Sequence, residues 1–493
     1  MKQTIVIHPA DSVGVALSAL EKGTSAEGVT LAENIEKGHK FALKPIKCGE
    51  KVIKYGEVIG KATADIGAGE HVHTHNMATN LSGTLEYAYS RKEIPSLTPP
   101  SEQRTVMVYE RKNGEVGIRN ELWVIPTVGC VNAQARIIAE TFRKKHGELT
   151  GIDGVFAYTH PYGCSQIGDD HIRTRTILQR MAKHPNCGGV LVLGLGCENN
   201  RMDVFRETLG EYDEERTEFL VAQDVEDEIA EGVARLEKLY EAAKNDRRTE
   251  HPLSCLKIGL KCGGSDGLSG ITANPLIGRF SDYMAAAGGT TVLTEVPEMF
   301  GAEQLLMDRA KDEETFGKIV ALVNGFKEYY QKHDQPVYEN PSPGNKAGGI
   351  TTLEDKSLGC TQKSGSSEVR DVLFDGDALS EHGLNLLNGP GNDMVAVTNL
   401  ASAGCHMVLF TTGRGTPFGG FVPTVKISTN SDLAKRKANW IDFDAGGIAA
   451  GESFENKLAA LAELIIETAN GKETVNERFG ARDIAIFKTG VTL

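Results

Sequence analysis

Three histidines within five residues form the densest group of metal-ligating side chains in this sequence. His71, His73 and His75 lie in the segment 69–76, GEHVHTHN, of a chain that contains 13 histidines. Alternate residues of a β-strand lie on one face, so this spacing predicts three imidazoles side by side. Neutral imidazole binds Zn, Fe, Mn and Ni in proteins. We interpret the segment as a metal site, with His73 also a candidate catalytic residue, although a solvated polar strand face has the same pattern.

A second pattern is a Gly-Cys pair that recurs directly after apolar runs. The three pairs end in Cys130, Cys164 and Cys197, and Glu198 follows the last of them. In an open α/β sheet the residues just past the carboxyl ends of the strands line the ligand crevice, so these side chains are expected to converge as metal ligands. Thiolates bind iron, zinc or an iron–sulfur cluster. The competing interpretation is that each cysteine is a small apolar residue at a tight turn.

Two polar residues flank Cys164 in the run HPYGCSQ. His160 precedes the cysteine and Gln166 follows it. Imidazole changes its charge near neutral pH, which makes His160 a candidate general acid or base. Gln166 is a candidate to bind substrate.

Lys261 opens a glycine-rich segment that lacks the Gly-Lys-Ser/Thr ending of a phosphate-binding P-loop. Backbone N–H groups of such a segment are open to an anion such as a carboxylate. Lys261 is expected to hold that carboxylate, or to act as a general base if desolvation lowers its pKa. A flexible connection is the alternative interpretation. The candidate substrate-binding residues here are Gly263, Gly264, Ser265 and Asp266.

Further polar residues follow other apolar runs. The acidic run 294–303 could bind a hard cation or a sugar hydroxyl, or it could stabilise a helix N-terminus. Arg414, between two glycines, is a candidate bidentate clamp for a carboxylate, although an exposed loop arginine is an equally simple interpretation. Asn388, in NGPGN, and Asn76 complete the candidate substrate-binding residues.

The elements between these motifs predict an α/β protein of three units. Residues 1–97 form a small β-rich domain with helical periodicity only in Gly14–Leu20, and it ends in the proline-rich stretch 94–101. In residues 98–335 apolar runs alternate with amphipathic helical patterns, which predicts βαβ units and a largely parallel sheet. A loop-like segment then leads into a C-terminal α/β domain, residues 336–493.

Composition excludes several classes of protein. The 493 residues carry a net charge of −14, which argues against a nucleic-acid partner. No apolar run approaches the roughly 20 residues of a membrane span, and the N-terminus lacks a signal-peptide pattern, so a cytoplasmic protein is expected. Nine cysteines, odd in number and unevenly spaced, do not indicate a disulfide framework. Asn199 stands where a dinucleotide-binding fingerprint needs its third glycine, which argues against an NAD-dependent oxidoreductase.

The motifs together resemble the altronate dehydratase / galactarate dehydratase family over nearly the whole chain. The resemblance is carried by the segments 69–76, 160–164, 261–266 and 388–392. It implies a SAF-like N-terminal domain and a homo-oligomeric lyase that removes water from a small-molecule sugar acid. For altronate the product would be 2-dehydro-3-deoxy-D-gluconate, in hexuronate catabolism. The family is iron-dependent, with Mn²⁺ or another divalent metal in some members, and an iron–sulfur cluster is the alternative cofactor here.

Proton abstraction α to a carboxylate needs stabilisation of the developing charge, usually by a divalent cation. Loss of the β-hydroxyl needs a Lewis acid or a general acid. The candidate residues include groups for both tasks. The alternative functions are galactarate dehydration, a lyase similar to sulfolactate sulfo-lyase, in which the two parts occur as separate chains, and a sugar-acid binding protein without catalytic activity.

Overall fold

The N-terminal unit consists of short antiparallel strands joined by tight turns. We analysed a computed structural model, which describes residues 2–99, 102–490 and 492–493. The strands of this unit are β1 (Thr4–Ile5), β2 (Val13–Ala16), β3 (Ser25–Ala26), β4 (Val29–Thr30), β5 (Lys40–Ala42), β6 (Lys51–Lys54), β7 (Glu57–Ala62), β8 (His71–Val72) and β9 (Met77–Ala78). They form a sheet in the order β1-β2-β5-β8, a second sheet β6-β7-β9 and the pair β3-β4.

The helical periodicity of Gly14–Leu20 does not produce a helix. Residues 13–16 are strand β2, every residue of which is buried. A side chain at Gly14 would lie 2.6 Å from the ring of Phe41 on the neighbouring strand β5. Cross-strand packing of that ring therefore overrides the weak local pattern.

After β9 the chain leaves this unit as a segment that forms neither helix nor strand in residues 79–99. This segment includes most of the predicted linker 94–101, of which Pro100 and Ser101 lie outside the described residues. It is held against the rest of the protein at several points. Tyr87, for example, donates a 2.6 Å hydrogen bond to Glu303.

The second unit is built on a parallel sheet with the strand order β13-β12-β14-β15. Beside it lies an antiparallel sheet, β11-β10-β16. The elements are β10 (Thr105–Glu110), β11 (Val116–Gly117), β12 (Glu121–Pro126), α1 (Asn132–His146), β13 (Gly154–Ala157), α2 (Gly168–Ala182), β14 (Cys187–Gly194), α3 (Met202–Leu209), β15 (Thr217–Val221), α4 (Glu228–Ala243) and β16 (Arg248–Pro252).

The third unit contains a seven-stranded parallel sheet in the order β19-β20-β18-β17-β21-β22-β23. Its elements are β17 (Lys257–Cys262), α5 (Ala273–Ala286), β18 (Thr290–Leu293), α6 (Glu303–Met307), α7 (Glu313–Lys332), α8 (Pro343–Ala347), α9 (Leu353–Cys360), β19 (Val369–Leu373), β20 (Gly383–Leu387), α10 (Asp393–Ser402), β21 (Met407–Thr412), β22 (Thr424–Ser428), α11 (Ser431–Arg436), β23 (Phe443–Asp444), α12 (Phe454–Ala469) and α13 (Val475–Arg478).

This sheet takes strands from both sides of the division expected at residues 335 and 336. Its central strands β17 and β18 precede that point, whereas β19 to β23 follow it. The division therefore does not separate two sheets. The fold class is confirmed: a small β-rich domain precedes two units with largely parallel sheets.

Burial on both faces explains the continuous apolar runs of the central strands. Every residue of β21 is buried, as expected for a parallel strand covered by helices on both sides. The two parallel sheets also share a core, in which Trp123 packs edge-on against Phe421 and stacks on His184. Among the described residues, none of the helices has the length and apolar composition needed to cross a membrane.

Candidate active site

The carboxyl edge of the seven-stranded sheet carries a buried cluster of charged side chains. Lys261 ends β17, Glu295 follows β18, and Asp393 follows β20 at the start of α10. In an open parallel sheet this edge is where ligands bind. We refer to these three residues, with Cys262, Glu298, Lys356, Cys360 and Lys363, as the buried charge cluster, of which Asp393, 34% exposed, is the most accessible member.

Lys261 lies at the centre of this cluster with no exposed side-chain surface. Its ammonium group bonds to Glu295, to Asp393 at 3.0 Å and to the Cys262 carbonyl at 2.6 Å. Burial would lower the pKa of Lys261, but the charges of Glu295 and Asp393 outweigh it, so its pKa is raised. A general base needs the opposite shift, and an anchor for a substrate carboxylate needs a free donor. Lys261 instead holds the strand ends together.

Glu295 links the strand ends through both carboxylate oxygens. One oxygen accepts from Lys261, and the other accepts from Lys363 at 2.9 Å and from the Cys262 backbone N–H at 3.0 Å. The backbone of Glu295 is left-handed, with φ 71°. Such a conformation is costly for a residue with a side chain and persists where its surroundings fix it.

Three ligand atoms of this cluster are close enough to bind one metal ion. The Sγ atoms of Cys262 and Cys360 are 3.2 Å apart, and they lie 3.4 and 3.2 Å from Glu298 Oε2. At these distances the three atoms could bind the same cation. Two lysine ammonium groups compete with such a cation, because Lys363 donates to Cys262 Sγ at 2.9 Å and Lys356 pairs with Glu298 at 2.7 Å.

The glycine-rich segment packs tightly over the cluster. A side chain at Gly263 would lie 2.5 Å from Asp393 Oδ1, and Gly264 has a φ of +63°. Asp266 accepts from Thr429 and Asn430, and burial raises its pKa, so it fixes the segment in place. Within the described part of the chain, the buried hydroxyl of Ser265 has no hydrogen-bond partner.

The two candidate residues from the later loops lie at the rim. Arg414 is exposed, and its backbone N–H donates to the Gly264 carbonyl at 2.9 Å. Asn388 donates to Asp375 at 3.1 Å, which fixes its side chain beside the strand ends. Arg414 is therefore the freer of the two to meet an anion.

The predicted histidine triplet forms a cluster, but not as one strand face. Strand β8 ends at Val72, and a turn brings the rings of His71, His73 and His75 together at centroid distances of 5.4 Å for His71–His73 and His71–His75. A fourth imidazole, His39, lies 5.1 Å from both His71 and His73. We refer to these four residues as the histidine cluster.

Three rings of the histidine cluster, those of His39, His71 and His73, have a pKa below the usual histidine value, which keeps them neutral at physiological pH. Burial and the neighbouring imidazoles lower the pKa of His71 to about 3. Burial and the charge of Lys40 lower the pKa of His73 to about 4. Asn76 does not face a ligand, since its amide bonds to the His71 carbonyl and the His73 backbone N–H. It holds the turn that carries the imidazoles.

Helix α8 and its flanking residues join the histidine cluster to the glycine-rich segment. His73 Nε2 lies 3.0 Å from the Lys346 carbonyl, and Asn345 donates to the Ser265 carbonyl at 2.9 Å. A side chain at Gly344 would lie 3.6 Å from the Arg414 guanidinium. Candidates from three distant parts of the sequence therefore border one region.

The three Gly-Cys pairs lie at the carboxyl edge of the other parallel sheet, and Cys130, Cys164 and Cys197 are all exposed. Glu198 is not available as a metal ligand beside them, because its carboxylate accepts from Thr127 at 2.7 Å and from two backbone N–H groups of its own loop. It is a loop-fixing residue.

His160 and Gln166 also serve the loops of that edge. His160 Nε2 lies 2.7 Å from the Pro126 carbonyl, and its Nδ1 accepts from the Tyr162 backbone N–H. Burial lowers its pKa. Gln166 accepts from the Gly163 N–H at 2.9 Å. Backbone groups therefore engage both ring nitrogens of His160 and the side-chain oxygen of Gln166.

Sequence reasoning missed several members of these clusters. His39 stands alone in the sequence, 32 positions before His71, the ring that it meets. Cys360 and Lys363 reach Cys262 from 98 and 101 positions away. Glu295 and Glu298 had a signal, since they belong to an acidic run directly after an apolar strand.

A parallel sheet with polar residues along its carboxyl edge, next to a histidine-bearing β domain, defines the chain as an α/β enzyme. Comparison with known families then places it. Residues 2–80 match the altronate/galactarate dehydratase SAF domain, 108–244 the second domain of D-galactarate dehydratase/altronate hydrolase, and 253–492 the C-terminal domain of D-galactarate/altronate dehydratase. The chain belongs to the D-galactarate/altronate dehydratase family.

Curated relatives cover the same length. An altronate dehydratase of Escherichia coli is 60% identical and one of Bacillus subtilis 55% identical, each over 100% of both chains. A galactarate dehydratase (L-threo-forming) of Escherichia coli is 32% identical over 98% of this chain and 96% of its own. The predicted family and the hydro-lyase class are confirmed.

Proposed function

We propose that this protein converts D-altronate into 2-dehydro-3-deoxy-D-gluconate and water. The proposal is carried by one observation of the structure: neutral imidazoles, an exposed arginine and a glycine-rich segment border a single region. It is supported by the full-length similarity to altronate dehydratases, which exceeds that to the galactarate dehydratase.

The substrate carboxylate is proposed to bind at the rim of this region. Arg414 offers a guanidinium that can take both carboxylate oxygens. Gly264 is exposed beside it and leaves backbone open to a close approach. Both residues lie above the buried charge cluster, which fixes the strand ends beneath them.

We propose that His39 and His71 hold a divalent metal. His39 Nδ1 and His71 Nε2 face each other at 3.0 Å, a separation suited to two nitrogens on one ion with bonds of about 2.1 Å. Both rings are kept neutral, which is the state that binds metal. We propose Fe²⁺ as the native ion, with Mn²⁺ as a substitute. A bound cation would stabilise the negative charge that develops on the substrate carboxylate.

His73 is the proposed base of the reaction. If its Nε2–H donates to the Lys346 carbonyl, Nδ1 carries the lone pair, and only the Thr74 hydroxyl lies beside it. A backbone carbonyl that fixes the tautomer in this way positions the other nitrogen for proton transfer. His73 would accept the proton next to the substrate carboxylate, and the neighbouring exposed His75 would protonate the leaving hydroxyl.

The test is a comparison of acids with anaerobically purified protein supplied with Fe²⁺. Release of a 2-oxo acid, measured as its semicarbazone, is expected from D-altronate and to be lost with a chelator. Galactarate and sulfolactate serve as competing substrates. Faster turnover of either would overturn the choice of D-altronate. Binding of D-altronate without formation of product would show that the protein is a sugar-acid binding protein without catalytic activity.

A further inference from the structure

The exposed thiols of Cys130, Cys164 and Cys197, which we call the thiol triad, have no role in the region described above. We propose that the thiol triad binds a [4Fe–4S] cluster, as a second metal centre at the carboxyl edge of the sheet β13-β12-β14-β15. The proposal concerns this chain's own ligands and does not depend on which sugar acid is the substrate.

Topology brings the three thiols to one place. Cys130 follows β12, Cys164 follows β13 and Cys197 follows β14, and these are three adjacent parallel strands. The loops touch directly, since the Gly129 N–H donates to the Tyr162 carbonyl at 2.8 Å. The Asn200 N–H donates to the Gly163 carbonyl at 3.0 Å.

The loops that carry the thiols are fixed from within. A side chain at Gly163 would lie 2.0 Å from the Thr127 carbonyl, so these two loops are as close as backbone permits. Asn199 accepts from the Ser165 N–H at 2.7 Å, and Asn200 donates to Thr127 at 3.0 Å. These contacts fix the loops, and the three thiols that the loops carry are exposed.

The three sulfurs are too far apart for all of them to bind one metal ion. The three Sγ atoms are not all within 4.8 Å of one another. Two thiolates on one ion, each at about 2.3 Å, cannot be farther apart than about 4.6 Å. In an iron–sulfur cluster each thiolate binds its own iron, so the ligands stand farther apart.

Helix α2, which follows the loop of Cys164, contacts a loop of the larger sheet. Asn388 donates to Asp375, which accepts from Arg173 at 2.6 Å on the first turns of α2. Helix α2 begins four residues after Cys164. Three thiolates leave one iron without a protein ligand, and such an iron supplies a Lewis acid for a substrate oxygen. Ligation of a preformed [4Fe–4S]²⁺ cluster releases three thiol protons and changes no oxidation state.

The test is spectroscopic. The full-length protein is reconstituted anaerobically with sulfide and equal amounts of ferrous and ferric iron, desalted, and assayed for iron, sulfide and absorption near 400 nm. About four irons and four sulfides per protein chain are expected, in addition to any iron that the four histidines retain. Cys130→Ser, Cys164→Ser and Cys197→Ser should each lose most of the sulfide and the absorption. Cys48→Ser, which alters an exposed cysteine of the N-terminal unit, is the matched control.

A second measurement keeps the result independent of folding. Mass spectrometry after iodoacetamide treatment should show all three thiols alkylated in the apoprotein and protected after reconstitution, with Cys48 alkylated in both. Iron without sulfide, cluster content unchanged in Cys197→Ser, or loss of the cluster from Cys360→Ser instead would overturn the proposal. None of these readouts requires D-altronate to be the substrate.

Discussion

His73 has a partner on each ring nitrogen, which distinguishes it from the exposed His75 next to it. The Lys346 carbonyl lies beside Nε2, and the Thr74 hydroxyl lies beside Nδ1. Lys346 belongs to helix α8, and Thr74 belongs to the turn that Asn76 holds, so the ring has little freedom. The role of His73 is a prediction that kinetics can test at the level of one residue.

We expect His73→Ala to lower kcat by about 10²–10⁴-fold, because a positioned acid or base contributes that much to proton transfer. The melting temperature should change little, since the ring is only half-buried. Steady-state kinetics, metal analysis and thermal unfolding make the test. His251→Ala, on β16, is the control. Turnover near that of the wild type would show that His73 is part of a polar surface without a catalytic role.

Lys261 is expected to matter for stability. Lys261→Met would leave Asp393 without its ammonium partner and Glu295 with only Lys363. Removing one member of a buried ion pair costs about 3–5 kcal/mol. Urea unfolding should show this loss, whereas Lys47→Met, at an exposed pair with Asp65, should change little. A stable Lys261→Met enzyme with only a raised KM would restore the anchoring role.

At this scale the sequence predicts residues that follow apolar strands. Lys261, Cys262 and Glu295 are recognisable because sheet topology brings strand ends together. His39 and Cys360 are not, because their partners lie far away in sequence and no local pattern marks them. Nor does the sequence show that backbone groups engage both ring nitrogens of His160 and the side-chain oxygen of Gln166, because that depends on the loops around them.

The helices and strands could be predicted from the sequence where a long apolar pattern marks them. One of the amphipathic patterns within 98–335 covers residues 202–209, which form α3, and the parallel strands lie where buried apolar runs predict them. The helical periodicity of Gly14–Leu20 did not predict the structure, because the aromatic ring of Phe41 on a neighbouring strand decides the conformation there. The strand order could not be read from the sequence, since nothing local places β20 between β19 and β18.

The junction between the two parallel sheets should be acid-sensitive. His184, between α2 and β14, stacks on Trp123 and lies 3.2 Å from the Cys405 carbonyl. Burial lowers its pKa to about 3. The unfolded chain, with a histidine pKa of about 6.5, therefore binds the proton first as the pH falls, and stability is lost below pH 6.5.

Between pH 6.5 and 5 this one histidine should cost about 2 kcal/mol of unfolding free energy. Urea unfolding at both pH values measures the loss. His184→Phe keeps an aromatic ring on Trp123 and removes the titrating group, so the pH dependence should become shallower by that amount. An unchanged slope in His184→Phe would show that other groups dominate the acid sensitivity.

At the scale of the whole molecule, the N-terminal unit is joined to the third by a buried ion triad. Asp355, on α9, accepts from Lys40 at 2.8 Å and from Lys54 at 2.9 Å, and its side chain has no exposed surface. Burial would raise the pKa of Asp355, but the two ammonium groups outweigh it and lower that pKa. The docked position of the histidine cluster depends on this contact.

Separately expressed fragments 1–97 and 98–493 should be inactive alone and active when mixed, because the histidine cluster and Arg414 lie on different fragments. Asp355→Asn in the larger fragment should prevent the recovery, since two buried ammonium groups would lose their shared partner. The recovered activity is measured as the release of 2-oxo acid by fragment 98–493 at increasing concentrations of fragment 1–97. Asp65→Asn in the smaller fragment is the control, and full activity of 98–493 alone would contradict the shared site.

The strand order of the seven-stranded sheet has a consequence for synthesis on the ribosome. Strands β17 and β18 are complete at Leu293, but β21, which pairs with β17, ends only at Thr412, 119 residues later. At about 5–20 residues per second, that interval lasts roughly 6–24 s. During it an apolar strand edge has no partner, so we expect the nascent chain to occupy chaperones until the second half of the sheet emerges.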